Sequence, residues 1–394
     1  MRNDVRRPVK PLVLRLLLSW LAIAPLNCST PAGELPEAEV LADGDPGLSL
    51  TSLLSGSAEG FARATHPRRF AFPEDHGSHP DFRTEWWYLT GNVAAASGRR
   101  LGYQFTLFRN ALAAEEPTTE SEWATRQIFM AHFAVTDVEG ESFHFFERFA
   151  RGAVGLAGVE LEPFRAWLED WQLTSRSSSP PFRLQARAGD IAIDLDLEPV
   201  KPLVLQGEGG LSRKGREPGN ASYYYAFTRM ATAGRIRLGA AELEVSGSSW
   251  LDREWSTSAL EAGQSGWDWF ALQLDDGTDL MVYQMRRDDG TADPMSSGSR
   301  IDAEGGRSSL LWSDFQLEVL DWWTSPQTGV RYPSGWRLRL PAQELELTIE
   351  AVLRDQELRL SVLYWEGAVR VVGERGGTPI AGRGYVELTG YRAR

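Results

Sequence analysis

The sequence of 394 residues contains one cysteine, Cys28, and five histidines, none of them after His144. A single cysteine excludes an intramolecular disulfide, so packing must stabilise the fold. Histidine is also unavailable as an acid or base in the second half of the chain. The formal net charge of −13 leaves no basic excess for phosphate contacts, so we predict no nucleic-acid partner.

Long apolar runs are also absent, and the longest one near the start, Leu16–Leu26, is too short to span a bilayer. It follows a basic segment and precedes Cys28, which is the pattern of an export signal. Pro25-Leu26-Asn27 departs from the small residues expected before a lipidated cysteine, so lipidation of Cys28 and simple cleavage both stay open. We expect an exported protein that is periplasmic, secreted, or attached to the outer membrane through Cys28.

The composition divides the chain into four parts. Residues 1–28 are the predicted signal, and residues 29–68, rich in Gly, Ala, Pro, Ser and acidic residues, are a predicted flexible tether. The remainder is long enough for two domains, which we place at 69–250 and 251–394.

The pattern of apolar residues is that of β-strands. In Asp190–Glu198, Ile and Leu alternate with Ala, Asp and Glu, and Glu344–Glu350 repeats this period of two. Ala111–Thr125 is polar and acidic, and is expected to be a loop or a short helix. Short strands with Gly and Pro turns, and no long segment of helical period, predict an all-β fold of barrels or sandwiches.

A polar loop runs directly into an aromatic strand at Phe72–Val93, FPEDHGSHPDFRTEWWYLTGNV. His76 and His79 lie near several carboxylates, but a zinc site needs a third ligand that the spacing does not supply. We expect the histidines to hold the loop by hydrogen bonds, and we predict neither a metal nor a cofactor. Trp86 and Trp87 are expected at a cavity, with burial in a core as the alternative.

Charged residues also stand between two tryptophans at Asp252-Arg253-Glu254, and this cluster is the second candidate for chemistry. A buried charge needs a partner, so we expect Arg253 to pair with Glu85. Paired carboxylates from Glu85, Asp252 and Glu254 would suit glycoside hydrolysis. The chain contains no G-x-S-x-G motif, so nothing indicates a serine nucleophile.

Four segments resemble one family: HGSHPDFRTEWWYLTG, GSSWLDREWS, GWDWFALQLDDGTDLMVYQMR and YWEGAVRVVGERGGTPIAGRGYVELTGY. They are similar to the carotenoid 1,2-hydratase and AttH-like family, which includes hydroxyneurosporene synthase and many secreted bacterial proteins. The resemblance implies two packed lipocalin-like β-barrel domains.

The resemblance also implies acid–base addition of water to an isoprenoid double bond, the chemistry of a hydro-lyase. Arg253 stands where the hydratases carry a histidine, Tyr283 matches their tyrosine, and Met285 replaces their aspartate. The candidate catalytic residues are Glu85, Asp252, Arg253 and Tyr283. The candidate ligand-binding residues, expected to line one apolar cavity, are Trp86, Trp87, Trp255 and Trp269.

Three functions therefore remain in view. The first is an enzyme that binds an apolar isoprenoid- or polyketide-like molecule and hydrates or cyclises it. The second is a non-catalytic carrier of a hydrophobic metabolite at the cell envelope. The third is a secreted carbohydrate-active hydrolase. An acid–base group facing the cavity favours the first, purely apolar walls favour the second, and a shallow cleft between two carboxylates favours the third.

Overall fold

The computed structural model describes residues 58–258 and 260–393, which belong to one compact unit. These residues form two antiparallel sheets and three short 3-10 turns, Glu74–His76, Trp312–Asp314 and Pro341–Gln343. The predicted all-β class with two barrel-like sheets is confirmed. The predicted signal, Cys28 and most of the predicted tether lie outside the described residues.

The first sheet contains thirteen strands in the order β4-β3-β2-β1-β13-β12-β9-β8-β7-β6-β5, with β10 and β11 also paired to β12. Their bounds are β1 (Thr84–Ala95), β2 (Arg100–Ala111), β3 (Gln127–Asp137), β4 (Ser142–Arg151), β5 (Ala157–Leu161), β6 (Phe164–Leu168), β7 (Trp171–Ser175), β8 (Phe182–Ala188), β9 (Ile191–Pro199), β10 (Val204–Leu205), β11 (Leu211–Arg213), β12 (Ala221–Leu238) and β13 (Ala241–Ser256).

The second sheet contains ten strands in the order β17-β16-β15-β14-β23-β22-β20-β19-β18, with β21 also paired to β22. Their bounds are β14 (Gln264–Leu274), β15 (Asp279–Arg287), β16 (Ser297–Ile301), β17 (Arg307–Leu311), β18 (Gln316–Thr324), β19 (Arg331–Leu340), β20 (Leu345–Ala351), β21 (Glu357–Arg359), β22 (Leu363–Arg375) and β23 (Thr378–Leu388).

The period-two segments form strands as predicted. In β9 the side chains of Ile191, Ile193, Leu195 and Leu197 are buried, whereas the residues between them are not. Ala111–Thr125 contains no helix; after the end of β2 it is a loop that leads to β3. Among the described residues, no helix is both long and apolar enough to cross a membrane.

Two expected boundaries differ from the structure. The end of the predicted tether is packed, because Ala64 is fully buried and the Tyr223 hydroxyl donates to the His66 carbonyl at 2.9 Å. The boundary expected after Trp250 falls inside β13, whose pairing with β1 continues to Ser256. The division between the sheets lies instead between Ser256 and Gln264, the first residue of β14.

Each sheet surrounds its own apolar core, and the two sheets also pack against each other. The central strands β1, β2 and β12 of the first sheet contact β23, β22 and β14 of the second. A Cβ added at Gly102 would lie 2.7 Å from the Cβ of Ala368, closer than two carbons can approach. Glycine at this position therefore permits the close approach of β2 and β22.

A buried charge cluster also joins the two sheets. Asp279, at the start of β15, accepts hydrogen bonds from Lys201 at 2.7 Å, Thr228 at 2.9 Å and Arg229 at 2.6 Å. All three donors precede β13, in the part of the chain that forms the first sheet. The carboxylate side chain has no solvent exposure, and that of Lys201 has 4 %. Because both charges are desolvated, each depends on the other.

We predict that Asp279→Ala lowers the free energy of unfolding by roughly 3–5 kcal/mol, because it leaves Lys201 buried without its partner. Urea denaturation measures this loss. The matched control is Asp194→Ala, which breaks a pair with Arg183 whose side chains are 42 % and 49 % exposed. The control is expected to lose no more than about 1 kcal/mol. Equal losses in the two variants would contradict the prediction.

Candidate functional site

A cavity with a volume of about 70 Å³ lies between the two sheets. Strands β1, β2, β12 and β13 supply one wall, and β14, β15, β22 and β23 supply the other. Aromatic side chains form much of its lining: Trp86, Tyr88, Phe108, Tyr224, Trp267, Trp269, Tyr283 and Tyr364. The hairpins β1–β2 and β14–β15 therefore face each other across one cavity.

The alternation of side chains along β1 and β13 decides which motif residues reach the cavity. Trp86 and Tyr88 of β1 line it, as do Asp252 and Glu254 of β13. Successive side chains on a strand point to opposite faces, so the residues between them enter the core of the first sheet. The pairing of β1 with β13 keeps the two sets aligned along both strands.

Two of the four tryptophans predicted to share a cavity are therefore elsewhere. Trp86 and Trp269 line the cavity, whereas Trp87 and Trp255 are 2 % and 0 % exposed within the first core. Trp255 stacks on the ring of His79, with centroids 3.7 Å apart. The expectation that Trp255 lines the cavity is corrected, because it lies one residue out of phase with Asp252 and Glu254.

Glu85 and Arg253 form the predicted ion pair, in which a guanidinium nitrogen of Arg253 donates to Glu85 Oε2. Arg109 donates to the other carboxylate oxygen, and the backbone N–H of His79 donates to both at 3.0 Å. Burial opposes ionisation, but the charges of Arg253 and Arg109 hold the pKa of Glu85 below its ordinary value. The pair faces the first core rather than the cavity, so the structure does not bring these two catalytic candidates to the other two.

The histidines of the polar loop are used for hydrogen bonding, as expected. His79 contacts Asp75 at 3.0 Å and Glu85 at 3.3 Å through its two ring nitrogens. His76 Nδ1 lies 2.7 Å from the Tyr225 hydroxyl. Burial lowers the pKa of His76 to about 4, assisted by the charge of Arg253. Both rings fasten the loop to the first sheet.

A carboxyl pair occupies the second-sheet wall of the cavity. Glu366 and Glu387 are direct neighbours across β22 and β23. The Tyr88 hydroxyl donates to Glu366 Oε1, while Glu366 Oε2 is buried with no hydrogen-bond partner among the described residues. Neither carboxyl forms a salt bridge within the described ranges 58–258 and 260–393. Both groups thus face the aromatic cavity without an ion pair of their own, although the charge of Lys214 in the same cavity acts on Glu387.

Desolvation keeps protons on this pair. Burial and the charge of Glu387 raise the pKa of Glu366 well above its ordinary value. Burial likewise raises the pKa of Glu387 to about 8. Two adjacent carboxyls cannot easily both ionise in a site with little water. At neutral pH the pair therefore retains at least one acidic proton that faces the cavity.

The first-sheet wall carries a further acid and one ion pair. Asp252 accepts a hydrogen bond from Trp250 Nε1 at 2.7 Å, and burial raises its pKa well above its ordinary value. Glu254 lies 3.3 Å from Lys214 Nζ. Burial opposes the charge on Lys214, but Glu254 more than offsets it and the pKa of Lys214 is raised. The charge of the lysine is therefore balanced by Glu254, and Asp252 forms no salt bridge with any residue that the structure describes.

Tyr283 and Met285, the positions compared with the hydratase pattern, both line the cavity. The Tyr283 hydroxyl donates to the Arg213 carbonyl at 3.0 Å and accepts from Ser297 at 2.7 Å. Its aromatic ring thus faces the cavity while its proton is engaged by the backbone. Met285 is apolar, whereas the hydratase pattern has an aspartate at this position. The acidic groups of the cavity come from β13, β22 and β23 instead.

Aromatic rings share the cavity walls with the acids. Tyr88 and Trp269 pack edge to face with centroids 5.2 Å apart, and Trp250 also packs edge to face with Trp269, at 6.2 Å. Ring faces attract cations, most strongly when water is excluded. The arrangement is suited to giving a proton to an apolar substrate and to stabilising the cation that results.

Glu366 and Glu387 were not among the predicted site residues, because the segment that contains both was compared only with the family's sequence pattern. A signal was present, since each is a single acid flanked by apolar strand residues, in Tyr364-Trp365-Glu366 and Val386-Glu387-Leu388. An acid on a strand face shared with an aromatic residue indicates a cavity or a partner. The pairing of β22 with β23, which places the acids side by side, is not visible in the sequence.

Two lipocalin-like sheets enclosing an acidic, aromatic cavity define the structural class. The AttH-like family profile matches residues 63–391, so the chain belongs to the AttH-like family. A crystal structure of a protein assigned as an AttH from Nitrosomonas europaea is 36 % identical, with a TM-score of 0.75, and covers 84 % of this chain and 100 % of that one. No curated protein sequence matches the chain.

Two more distant solved structures share the fold. Kievitone hydratase from Nectria haematococca is 14 % identical with a TM-score of 0.62, and the match covers 84 % of this chain and 98 % of that one. The structure of CghA with Sch210972 is 12 % identical with a TM-score of 0.52, covering 89 % and 99 %. At these identities the likeness concerns the fold alone.

The raised pKa of Glu387 predicts a pH-dependent cost in stability. Above the ordinary glutamate pKa the unfolded chain loses this proton while the folded protein keeps it, so stability falls as pH rises towards about 8. Glu387→Gln removes this cost. The variant should therefore gain stability over wild type, and the gain should be larger at pH 8 than at pH 5.

Urea denaturation at both pH values measures this gain. Glu244→Gln removes one negative charge from a side chain that is 77 % exposed, and serves as the control. A gain for Glu387→Gln that is the same at both pH values, or that matches the control, would show that Glu387 is ionised in the folded protein.

Proposed function

We propose that this protein binds an apolar, unsaturated molecule of isoprenoid or polyketide type between its sheets and protonates it, which leads to hydration or cyclisation. The observation that supports this most directly is the Glu366–Glu387 pair in an aromatic cavity. A carboxyl group that keeps its proton at neutral pH is the kind of general acid that an unactivated double bond requires.

The chemistry of the walls supports each part of the reaction. Glu366 or Glu387 gives its proton to one carbon of the double bond, and a cation develops at the other carbon. The rings of Trp269 and Tyr88 stabilise that cation, which is attacked by water or by a second double bond of the same molecule. Attack by water, followed by loss of a proton from the added oxygen, gives hydration. Attack by a double bond gives a cyclic cation, which becomes a neutral product by losing a proton from an adjacent carbon or by adding water.

The names of two solved structures with the same fold are consistent with this chemistry. One solved structure bears the name of a hydratase, and another contains the small molecule Sch210972. The carotenoid 1,2-hydratases suggested by the sequence are one branch in which such a reaction occurs. In the present chain the acid would come from Glu366 and Glu387 rather than from positions 253 and 285.

The two alternative functions are less well supported. A pure carrier needs apolar walls, yet four carboxyl groups line this cavity: Asp252, Glu254, Glu366 and Glu387. A carbohydrate hydrolase would need an open cleft between two carboxylates, and Glu85, proposed for that role, is buried in the first core. The position of the cavity between two packed sheets also suits an apolar molecule better than a sugar chain.

The first test of this function is hydration of lycopene, an acyclic carotenoid, in water enriched in oxygen-18. The wild-type protein is expected to form a product that contains one labelled hydroxyl group, detected by mass spectrometry. Glu366→Gln and Glu387→Gln should lower kcat by about 100-fold or more, since general acids contribute roughly 10²–10⁴-fold to rate. Exposed Glu374, on the same strand as Glu366, gives the matched control Glu374→Gln.

Two outcomes would change the conclusion. Wild-type protein that binds lycopene and returns it unchanged would support the carrier function instead. Hydration that is undiminished in both cavity variants would assign the acid to another residue. Met285→Asp is informative beside them, because it adds a carboxyl group to the cavity, whereas Arg253→His breaks the buried pair with Glu85 in the first core.

We also propose that the protein is exported and that Cys28 carries a lipid anchor. The support is the order of basic segment, apolar run and cysteine in the sequence. In the native host, Cys28→Ser is expected to move the protein from the membrane fraction to the soluble envelope fraction, as measured by fractionation and immunoblotting. An unchanged membrane fraction would contradict the anchor, and unprocessed protein in the cytoplasm would contradict export.

A further inference from the structure

A chain of three hydrogen-bonded side chains connects the cavity to the protein surface. Tyr364 lines the cavity, and its hydroxyl lies 2.7 Å from Nδ1 of His132 on β3. Nε2 of His132 lies 2.9 Å from Glu147 Oε1 on β4. The His132 side chain has no solvent exposure, whereas that of Glu147 has 16 %. Ser361, which is exposed, donates to the same carboxylate at 2.6 Å.

The surroundings of each group fix where the protons lie. Burial favours the neutral form of Glu147, but hydrogen bonds from His132 and Ser361 outweigh it and lower its pKa. Burial lowers the pKa of His132 despite Glu147, so the imidazole is neutral at neutral pH. Its Nε2–H therefore donates to Glu147, and its Nδ1 accepts the proton of Tyr364.

This orientation leaves the oxygen of Tyr364 as an acceptor towards the cavity. Burial and the charges of Glu366 and Glu387 raise the pKa of Tyr364 well above its ordinary value, so a free phenolate is disfavoured. Tyr364 can nevertheless accept a proton from the cavity if it passes its own proton to His132 in the same step. The buried imidazolium so formed would be stabilised by Glu147.

We propose that Tyr364, His132 and Glu147 form a proton relay that acts as the general base for the water that adds to the substrate. This inference rests on the proposed function. The Glu366–Glu387 pair supplies the acid, and Tyr364, two residues before Glu366 on the same face of β22, supplies the base. The cavity thus contains an acid and a base with opposite tasks next to each other.

The proton balance of the hydration closes with these groups. The carboxylic acid forms a C–H bond with one alkene carbon, and the water oxygen forms a C–O bond with the other. The water then loses a proton to Tyr364, whose own proton moves to His132 Nδ1. The Nδ1 proton then returns to Tyr364, which passes its other proton to the carboxylate of the Glu366–Glu387 pair, so that the acid and the base are both restored and no net proton is consumed. No oxidant or reductant is needed.

A purely structural role would be shared with other hydrogen bonds between the sheets. Thr136 donates to Gln356 Oε1 at 2.8 Å, and Asn92 donates to the Gly384 carbonyl at 3.0 Å. Neither bond contains a titratable side chain or connects the cavity to the surface. Thr136→Val therefore provides a matched control, since it removes one buried inter-sheet bond and leaves the relay intact.

The first measurement locates the protons without any substrate. Long-range proton–nitrogen-15 NMR of the histidine side chains, assigned with His132→Gln, should show His132 at pH 7.5 with hydrogen on Nε2 and none on Nδ1. Hydrogen on Nδ1 would overturn the relay, because Tyr364 would then be the acceptor in that bond rather than the donor.

The second measurement uses the hydration of lycopene. Tyr364→Phe and His132→Gln should lower kcat by about 100-fold or more, within the range for loss of a general base. Glu147→Gln, at a partly exposed site where folding is not at risk, should lower it by about tenfold, because Glu147 acts through His132. KM should change little in all three, which separates a chemical role from a binding role.

The pH profile provides the readout that structural damage would not give. Wild-type kcat should fall on the acid side as His132 becomes protonated, and this limb should be absent in His132→Gln, while Thr136→Val keeps the wild-type profile. If wild type hydrates lycopene and the relay variants keep its kcat, the relay is wrong and the carboxyl acid stands. If wild type is inactive and His132 carries its proton on Nδ1, both proposals fail.

Discussion

Successive side chains of a β-strand point to opposite faces, and the organisation of this protein depends on that alternation in β1 and β13. Both strands contribute to the core of the first sheet and to the wall of the cavity. Arg253 and its partner Glu85 lie on one face, whereas Asp252 and Glu254, the sequence neighbours of Arg253, lie on the other. A stretch that looks like one charged motif therefore performs two separate tasks.

Two buried glutamates, Glu85 on β1 and Glu387 on β23, show how partners determine ionisation. Glu85 is completely buried, yet two guanidinium groups and a backbone N–H keep it ionised. Glu387 faces a cavity in which Lys214 is already occupied by Glu254, so desolvation prevails and its proton is retained. The first glutamate stabilises the loop that closes one end of the sheet, and the second is available for chemistry.

The sequence predicted the all-β class, the strands of period two and the Glu85–Arg253 pair, because each depends on local spacing or on the need of a buried charge for a partner. It did not predict the Glu366–Glu387 pair, which exists only because β22 pairs with β23 in one register. Trp255 was predicted to line the cavity because the alternation of side chains along β13 was not applied to the motif. His132 was not singled out, since its partners lie 15 and 232 residues away.

The close approach of Gly102 to Ala368 bears on how this protein can change during evolution. The cavity is made by the facing surfaces of two sheets, so its width is set by the smallest side chains at their contact. A larger residue on one sheet would separate the cavity walls and admit water to the carboxyl groups. These groups keep their protons only because water is excluded. Divergence towards new ligands must therefore proceed by paired replacements on both halves of the gene, and conservation at this contact should be stricter than its plain chemistry would suggest.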